Sequence, residues 1–400
     1  MSDRGPSRSR RPRRSRIADR LGLPSSALPS REDERHASWL ELFFDLVFAL
    51  ALASVQSRLT GASPGAGEAA VAFGLFAVVW WAWVGQAFYD TRFDPDDLAH
   101  RFAVLLGMAG AGMMAIGAEA APRTLLLPLG YLVVRAALLT LYLRVRNTGP
   151  MARQVTTVYL TGFGTGWILW LGSLAAPVDV RPLFWVAGMV VEFLTPWVGR
   201  PWLRRLPVHP GHLPERLGQF TIILLGASLM DLLDAVPPRP PVAVLGAAAL
   251  AFVVPAVVWW VYTTFVSTGL AIRRLGAGLG YAYLHGLLGA ALLLLGWGLG
   301  QLVRQVDAGA HQLPEPLRLL VAAAVVTWMV CGLALQWISL GFLVLERVAI
   351  GVGGAAAVVA VSTVAVEPTL LLGLLATVMV GYAVLIIRHI ARLNERQTGP

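Results

Sequence analysis

The 400-residue sequence contains no lysine, a single cysteine and only 14% charged residues. Each scarcity excludes something. A soluble chain carries about 25% charged residues. A share of 14% cannot cover a water-facing surface of this size, which excludes a soluble enzyme and a disordered regulator. The lone Cys331 cannot form an intramolecular disulfide and reads as a small buried hydrophobe. All 32 basic side chains are arginine, a coding bias rather than a chemical signal, although arginine grips phosphates bidentately better than lysine does. Catalytic motifs are absent too: no nucleophile elbow, zinc-protease helix or phosphate loop occurs. The runs Gly276-Ala277-Gly278-Leu279-Gly280 and Gly296-Trp297-Gly298-Leu299-Gly300 lack a βαβ context and read as close-packing devices. No cofactor and no metal are expected. The net charge of +9 lies in loops and a tail, so it does not point to nucleic acid.

What the chain has is hydrocarbon. Hydrophobic residues make up 56% and the mean hydropathy is +0.66. Apolar stretches recur at about the 20-residue length that crosses a bilayer core. Twelve helices are expected, at 39–58, 68–89, 95–118, 124–143, 155–176, 182–198, 214–235, 241–265, 277–301, 316–342, 347–366 and 368–389. Pro95, Pro182, Pro214, Pro316 and Pro368 fall near first turns, where proline is tolerated, and Pro255 predicts a kink in the eighth span. Residues 1–38 are polar and arginine-rich and read as a disordered basic tail attracted to anionic headgroups.

Arginine counts set an expected orientation. Twenty-five lie on the side of the tail and alternate loops, six on the other, and Arg135 alone sits deep in a span. The positive-inside rule then places both termini in the cytoplasm. Val78-Val79-Trp80-Trp81 recurs as Val257-Val258-Trp259-Trp260, and Phe43 is echoed by Phe220. That suggests two parallel six-helix halves, 39–198 and 214–390, joined by a cytoplasmic linker at 199–213 and followed by a tail at 391–400.

Ionisable groups inside spans are costly, so each is a functional hypothesis by default. Asp45 lies roughly 9 Å below the cytoplasmic entry at Trp39, at 1.5 Å per residue. Glu192 is again roughly 9 Å deep, and Arg135 and His285 roughly 12 Å. Four ionisable side chains from four helices thus share one layer, either as a working site or as ion pairs that fix packing. Glu41 is shallow enough to reach headgroups. The segment Arg92-Phe93-Asp94-Pro95-Asp96-Asp97-Leu98-Ala99-His100-Arg101 reads better as a helix start, with Asp94 as N-cap and Pro95 at N1, than as a divalent-metal site. His209-Pro210-Gly211-His212 offers ligand types at spacing that suits zinc poorly.

Several segments resemble the bacterial low temperature requirement protein A family. They are Glu41-Leu42-Phe43-Phe44-Asp45-Leu46-Val47-Phe48, Arg92-Phe93-Asp94 with Asp96-Asp97 and His100-Arg101, His212 with Glu215-Arg216, Phe220 through Gly226, and Tyr283-Leu284-His285. The resemblance covers roughly residues 36–390. It departs at Leu225-Gly226-Ala227, where the family usually has Leu-Gly-Glu. It implies a multi-span protein of the bacterial inner membrane, associated with growth in the cold and without a settled activity. Phe43-Phe44-Asp45 is more distantly similar to the Phe-Ser-Asp motif of two-repeat, six-span potassium channels.

The expectation is therefore an all-α polytopic bundle that moves a small solute or ion with proton coupling. Asp45 and Glu192 would be the carrier carboxylates, Arg135 their countercharge and His285 a proton acceptor. A membrane-embedded enzyme acting on lipid and a non-catalytic scaffold or sensor are the alternatives, and proteoliposome flux separates them. The bilayer and its anionic headgroups at the arginine-rich loops are the expected partners.

Overall fold

The computed structural model describes residues 38–93, 97–209, 211–266, 275–340 and 343–397. The tail reading for 1–37 and the capping roles of Asp94 and Pro95 lie outside the described residues. Within them the chain is all helix, with no strand. Apolar sequence explains this, because backbone polar groups in hydrocarbon must pair within their own segment.

Twelve long helices follow one another: α1 (Trp39–Ser54), α2 (Ala66–Phe93), α3 (Leu98–Ala118), α4 (Leu126–Val145), α5 (Pro150–Ala175), α6 (Arg181–Val198), α7 (His212–Asp234), α8 (Val242–Val266), α9 (Leu275–Asp307), α10 (Glu315–Leu340), α11 (Leu345–Val364) and α12 (Pro368–Gln397). A 3₁₀ turn, Val55–Arg58, extends α1, and a short helix, Arg200–Leu203, follows α6. Eleven of the twelve are long and apolar enough to cross a membrane. The sixth expected span, α6, is a helix of 18 residues that falls short of that measure. It carries Arg181 and Glu192, and the glycine approaches Gly162–Thr195 and Gly188–Trp170 run it antiparallel to α5. The protein is a polytopic helical bundle.

Two boundaries differ from the sequence reading in ways that matter. Helix α2 continues to Phe93, which brings Asp90 inside the helix. Helix α3 starts at Leu98, and its N-cap is Asp97, whose carboxylate accepts from His100 N at 2.8 Å. Helix α1 is closed by a capping box, in which Ser38 Oγ accepts from Glu41 N at 3.2 Å and Glu41 Oε2 accepts from Ser38 N at 2.8 Å.

Close crossings rest on glycine. A Cβ on Gly110 of α3 would lie 2.7 Å from the Gly130 carbonyl oxygen, and one on Gly130 of α4 would lie 2.4 Å from that of Gly110. Between α7 and α9, Gly296 faces the Ser228 carbonyl and Gly300 that of Asp231. Small residues let membrane helices approach to backbone distance, where packing and not water expulsion holds them.

Helices α1, α3, α4, α5 and α6 pack in the chain α1–α3–α4–α5–α6, and α7, α9, α10, α11 and α12 pack in the same order. The tryptophan recurrence does not share an environment: Trp80 and Trp81 are buried, whereas Trp259 and Trp260 are exposed. Three residues beyond Trp80 and Trp259 the match is closer. Trp83 bonds to Asp45 of α1, and Tyr262 bonds to Thr221 of α7.

Candidate functional site

Where α1, α2, α3 and α7 meet, one guanidinium gathers three carboxylates. Arg216 Nη1 donates to Asp90 Oδ2 at 2.7 Å and to Glu41 Oε1 at 3.1 Å, and Nη2 reaches Asp45 Oδ1 at 3.4 Å. Local sequence places them. Glu41 and Asp45 are one turn apart and share a face of α1. Asp90 and Trp83 are two turns apart on one face of α2, and Arg216 lies one turn into α7. Arg216 and Asp45 are fully buried, and Asp90 and Glu41 nearly so.

Two histidines flank the acids. His212 Nε2 lies 3.2 Å from Glu41 Oε1, and His100 Nε2 lies 2.9 Å from Asp90 Oδ1. Gln86 donates to Asp90 at 2.8 Å, and Trp83 Nε1 donates to Asp45 Oδ1 at 2.7 Å. Phe44 and Trp83 each hold a ring 5.8 Å from the Arg216 guanidinium carbon. Asp45 Oδ2 and Arg216 Nε have no hydrogen-bond partner among the described residues. A buried carboxylate in this position is stable only while it is paired or holds a proton. The cluster can therefore exchange protons and redistribute hydrogen bonds around a fixed positive centre. Among the described residues no group of three or more metal-ligand side chains has the geometry to hold a metal ion.

Arg135 and Glu192 form a different site. Arg135 Nη2 and Glu192 Oε2 are 2.7 Å apart and both side chains are fully buried. Tyr131 donates to Glu192 Oε2 at 2.7 Å while accepting from Arg135 Nε at 3.0 Å. Arg135 also donates to the Trp81 carbonyl at 2.9 Å and lies over the rings of Phe163 and Tyr131. Glycines make the room: a Cβ on Gly85 would sit 2.3 Å from Arg135 Nη1, and one on Gly166 would sit 2.5 Å from Glu192 Oε1. The pair is enclosed by side chains and backbone, although Arg135 Nη1 and Glu192 Oε1 have no hydrogen-bond partner among the described residues.

His285 belongs to a third place. Its Nδ1 lies 2.8 Å from the Tyr281 carbonyl and its Nε2 lies 3.0 Å from Tyr262 Oη. Tyr262 in turn donates to Thr221 at 3.3 Å.

The four residues expected to share a layer thus divide into three groups. Arg135 pairs with Glu192 and not with Asp45, whose countercharge is Arg216. The reason is angular. Trp81 and Gly85 face Arg135 from one side of α2, and Trp83 and Asp90 face Arg216 from the other. At 100° per residue, positions 81 and 83 point about 200° apart.

Other motif residues find structural places. Glu41 points into the cluster instead of reaching headgroups. Arg92 is buried and donates to the Leu206 carbonyl at 2.9 Å and to Tyr159 at 3.3 Å. Asp97 takes a two-pronged bond from Arg144 at 3.1 Å on each prong. Phe44 is buried beside Arg216, whereas Phe43 and Arg101 are exposed. Glu215 accepts from Gln219 at 3.2 Å. Asp94 lies outside the described residues. Asp90, Trp83 and Gln86 are cluster members that the sequence reading did not name, and Glu41, His100, His212 and Arg216 entered it only as motif residues. A span drawn to end at 89 hid Asp90, and the i, i+7 spacing from Trp83 was the available signal.

Residues 36–384 match the profile of a family described as bacterial low temperature requirement A protein (LtrA). The chain is also 31% identical over 219 residues to the uncharacterized protein RA0937 of Rhizobium meliloti (strain 1021), an alignment that covers 50% of this chain and 51% of that protein. The chain therefore spans about half the length of this curated relative.

Proposed function

The chain belongs to the bacterial low temperature requirement A (LtrA) family, and on that premise we propose that it moves a small solute or ion across the inner membrane in exchange for protons taken up by the Glu41–Asp45–Asp90 cluster. One observation carries the reading: Arg216, on the first helix of the second half, holds three carboxylates from the first half. Arginine holds an ionised carboxylate more strongly than the neutral acid, because protonation removes the Coulomb attraction between them. Protonating one acid weakens its hold on Arg216 and loosens α7 from α1 and α2. Proton occupancy and the packing of the halves are thereby coupled. Asp45 is the proton carrier, Arg216 the fixed countercharge, and His212 and His100, within hydrogen-bond distance of Glu41 and Asp90, are the groups that relay protons to those acids. Arg135 and Glu192 serve as a structural brace.

The two-half organisation, 39–198 and 214–390, is part of the same proposal, supported by the shared order of helix packing. So is an orientation with both termini in the cytoplasm. Reporter fusions after Arg153 and Arg205 should read cytoplasmic, and those after Asp179 and Asp307 external.

The function is tested by flux. Purified protein in liposomes under an imposed pH gradient should show solute-dependent proton movement, and Asp45→Asn should abolish it while leaving the protein folded. Active Asp45→Asn protein with pH-independent flux would sink the carrier reading. Modified lipid without flux would favour a lipid enzyme, and neither would favour a scaffold.

A further inference from the structure

Helix α2 carries an aromatic ladder away from the acid cluster. Trp83, bonded to Asp45, stacks on Phe220 at 4.1 Å and lies 5.1 Å from Trp80. Trp80 stacks in turn on Phe76 at 6.2 Å. Room for the ladder comes from α9, where a Cβ on Gly286 would meet Trp80 at 2.5 Å and one on Gly289 would lie 3.3 Å from Phe76. On the far side of Phe76 is a cavity of about 200 Å³ between the 3₁₀ turn that follows α1, α2, α9 and α10.

Its walls are almost wholly hydrocarbon. Phe73, Phe76, Leu294 and Leu320 are among them, and Gln56 and Thr327 are the polar members. The Gln56 amide already donates to the Leu293 carbonyl at 2.5 Å. A water molecule needs two to four polar partners to occupy a cavity, and a dry apolar cavity of about 150 Å³ takes up benzene. A charged or sugar-like solute would lose its hydration here without replacement. The cavity is half open, and its rim residues Phe73 and Leu287 are exposed on the outside of the bundle. In a membrane-spanning protein that rim meets lipid.

We propose that this cavity is the solute site, and that it takes a small, uncharged, hydrocarbon-rich molecule of roughly benzene size that enters sideways from the bilayer. Phe76, Trp80 and Trp83 form the partition between this site and Asp45. The assignment of the cavity to the moved solute rests on the carrier reading; its occupancy by such a molecule does not.

Binding is measured by the ¹⁹F transverse relaxation of fluorobenzene added to the full chain in lipid nanodiscs, with empty nanodiscs of the same lipid as baseline. The protein should accelerate relaxation beyond that baseline. Two filling variants, Ala290→Phe and Ala323→Trp, should each remove the excess while keeping the parent's thermal midpoint. Two are used because one could misfold. Asp45→Asn should keep the excess. No excess, or an excess unchanged in both folded filling variants, would overturn the site. A phospholipid retained by the parent in native mass spectrometry and lost from Ala323→Trp, with no fluorobenzene excess, would overturn it in favour of a lipid tail. The two readings fail separately. Binding that persists alongside pH-independent flux refutes only the carrier, and pH-coupled flux without binding refutes only the cavity.

Discussion

Arg216 and Asp90 stand 126 residues apart in sequence and 2.7 Å apart in the bundle, both buried. This contact ties α7 to α2, and Arg216 extends it to Glu41 and Asp45 of α1. Removing one partner from a buried ionic network leaves the others uncompensated, at a cost of roughly 3–5 kcal/mol. Arg216→Ala should therefore lower the thermal unfolding midpoint in detergent sharply. Arg216→Lys should fall between, because a single ammonium cannot fork across three acids. An Arg216→Ala protein as stable as the parent would show that the cluster does not hold α7 to α1 and α2.

Arg135 and Glu192 should behave as a closed pair. Arg135→Met and Glu192→Leu should each destabilise by roughly 3–5 kcal/mol, whereas the double variant Arg135→Met, Glu192→Leu should recover much of the loss. Flux in that double variant should keep its pH dependence. A double-mutant cycle on unfolding midpoints gives the coupling, and a cycle near zero would refute the brace.

Glycine substitutions test the α3–α4 crossing. Gly130→Ala puts a methyl against the Gly110 backbone, which cannot swing aside. Overpacking of this kind costs about 1–3 kcal/mol. Gly112 on the same helix α3 meets nothing within 4 Å, so Gly112→Ala should be neutral or stabilising by up to about 1 kcal/mol. Equal effects of the two would contradict the crossing.

Asp97 sets a pH dependence outside the spans. Partial burial alone would raise its pKa, but the Arg144 fork and the His100 N–H outweigh it and hold the carboxyl below its ordinary value. A lowered folded pKa contributes stability above the unfolded value of about 3.9, and that stability fades as pH falls through the folded value. The gap in unfolding midpoint between parent and Asp97→Ala should be flat from pH 5 upward and should narrow below about pH 4. Loss of the cap adds about 1 kcal/mol. A gap that widens on acidification would contradict the ion pair.

Much of this architecture was legible in the chain. Hydrophobic length fixed eleven of the spans, because a bilayer demands about 20 apolar residues per crossing. The sixth was legible only as a helix, since Arg181 and Glu192 dilute its hydropathy. The motif that opens with Glu41 and Asp45 contains two of the three carboxylates, but only Asp45 was legible as a site residue, because depth alone left Glu41 at the headgroups. Height along a helix follows from counting residues, which is why Asp45, Arg135, Glu192 and His285 could be assigned a common depth.

Azimuth does not follow from counting. Whether Arg135 meets Asp45 or Glu192 depends on which faces of α2, α4, α5 and α6 turn toward one another. Gly85 and Gly166 decide that by leaving space for Arg135 and Glu192. The same holds for Arg216, whose three acids come from helices that meet only in the folded bundle. Sequence alone determined a membrane-spanning helical protein with costly charges inside it. Tertiary structure alone decided which charges are partners, because hydrophobic length is a one-dimensional property and ion pairing in hydrocarbon is a three-dimensional one.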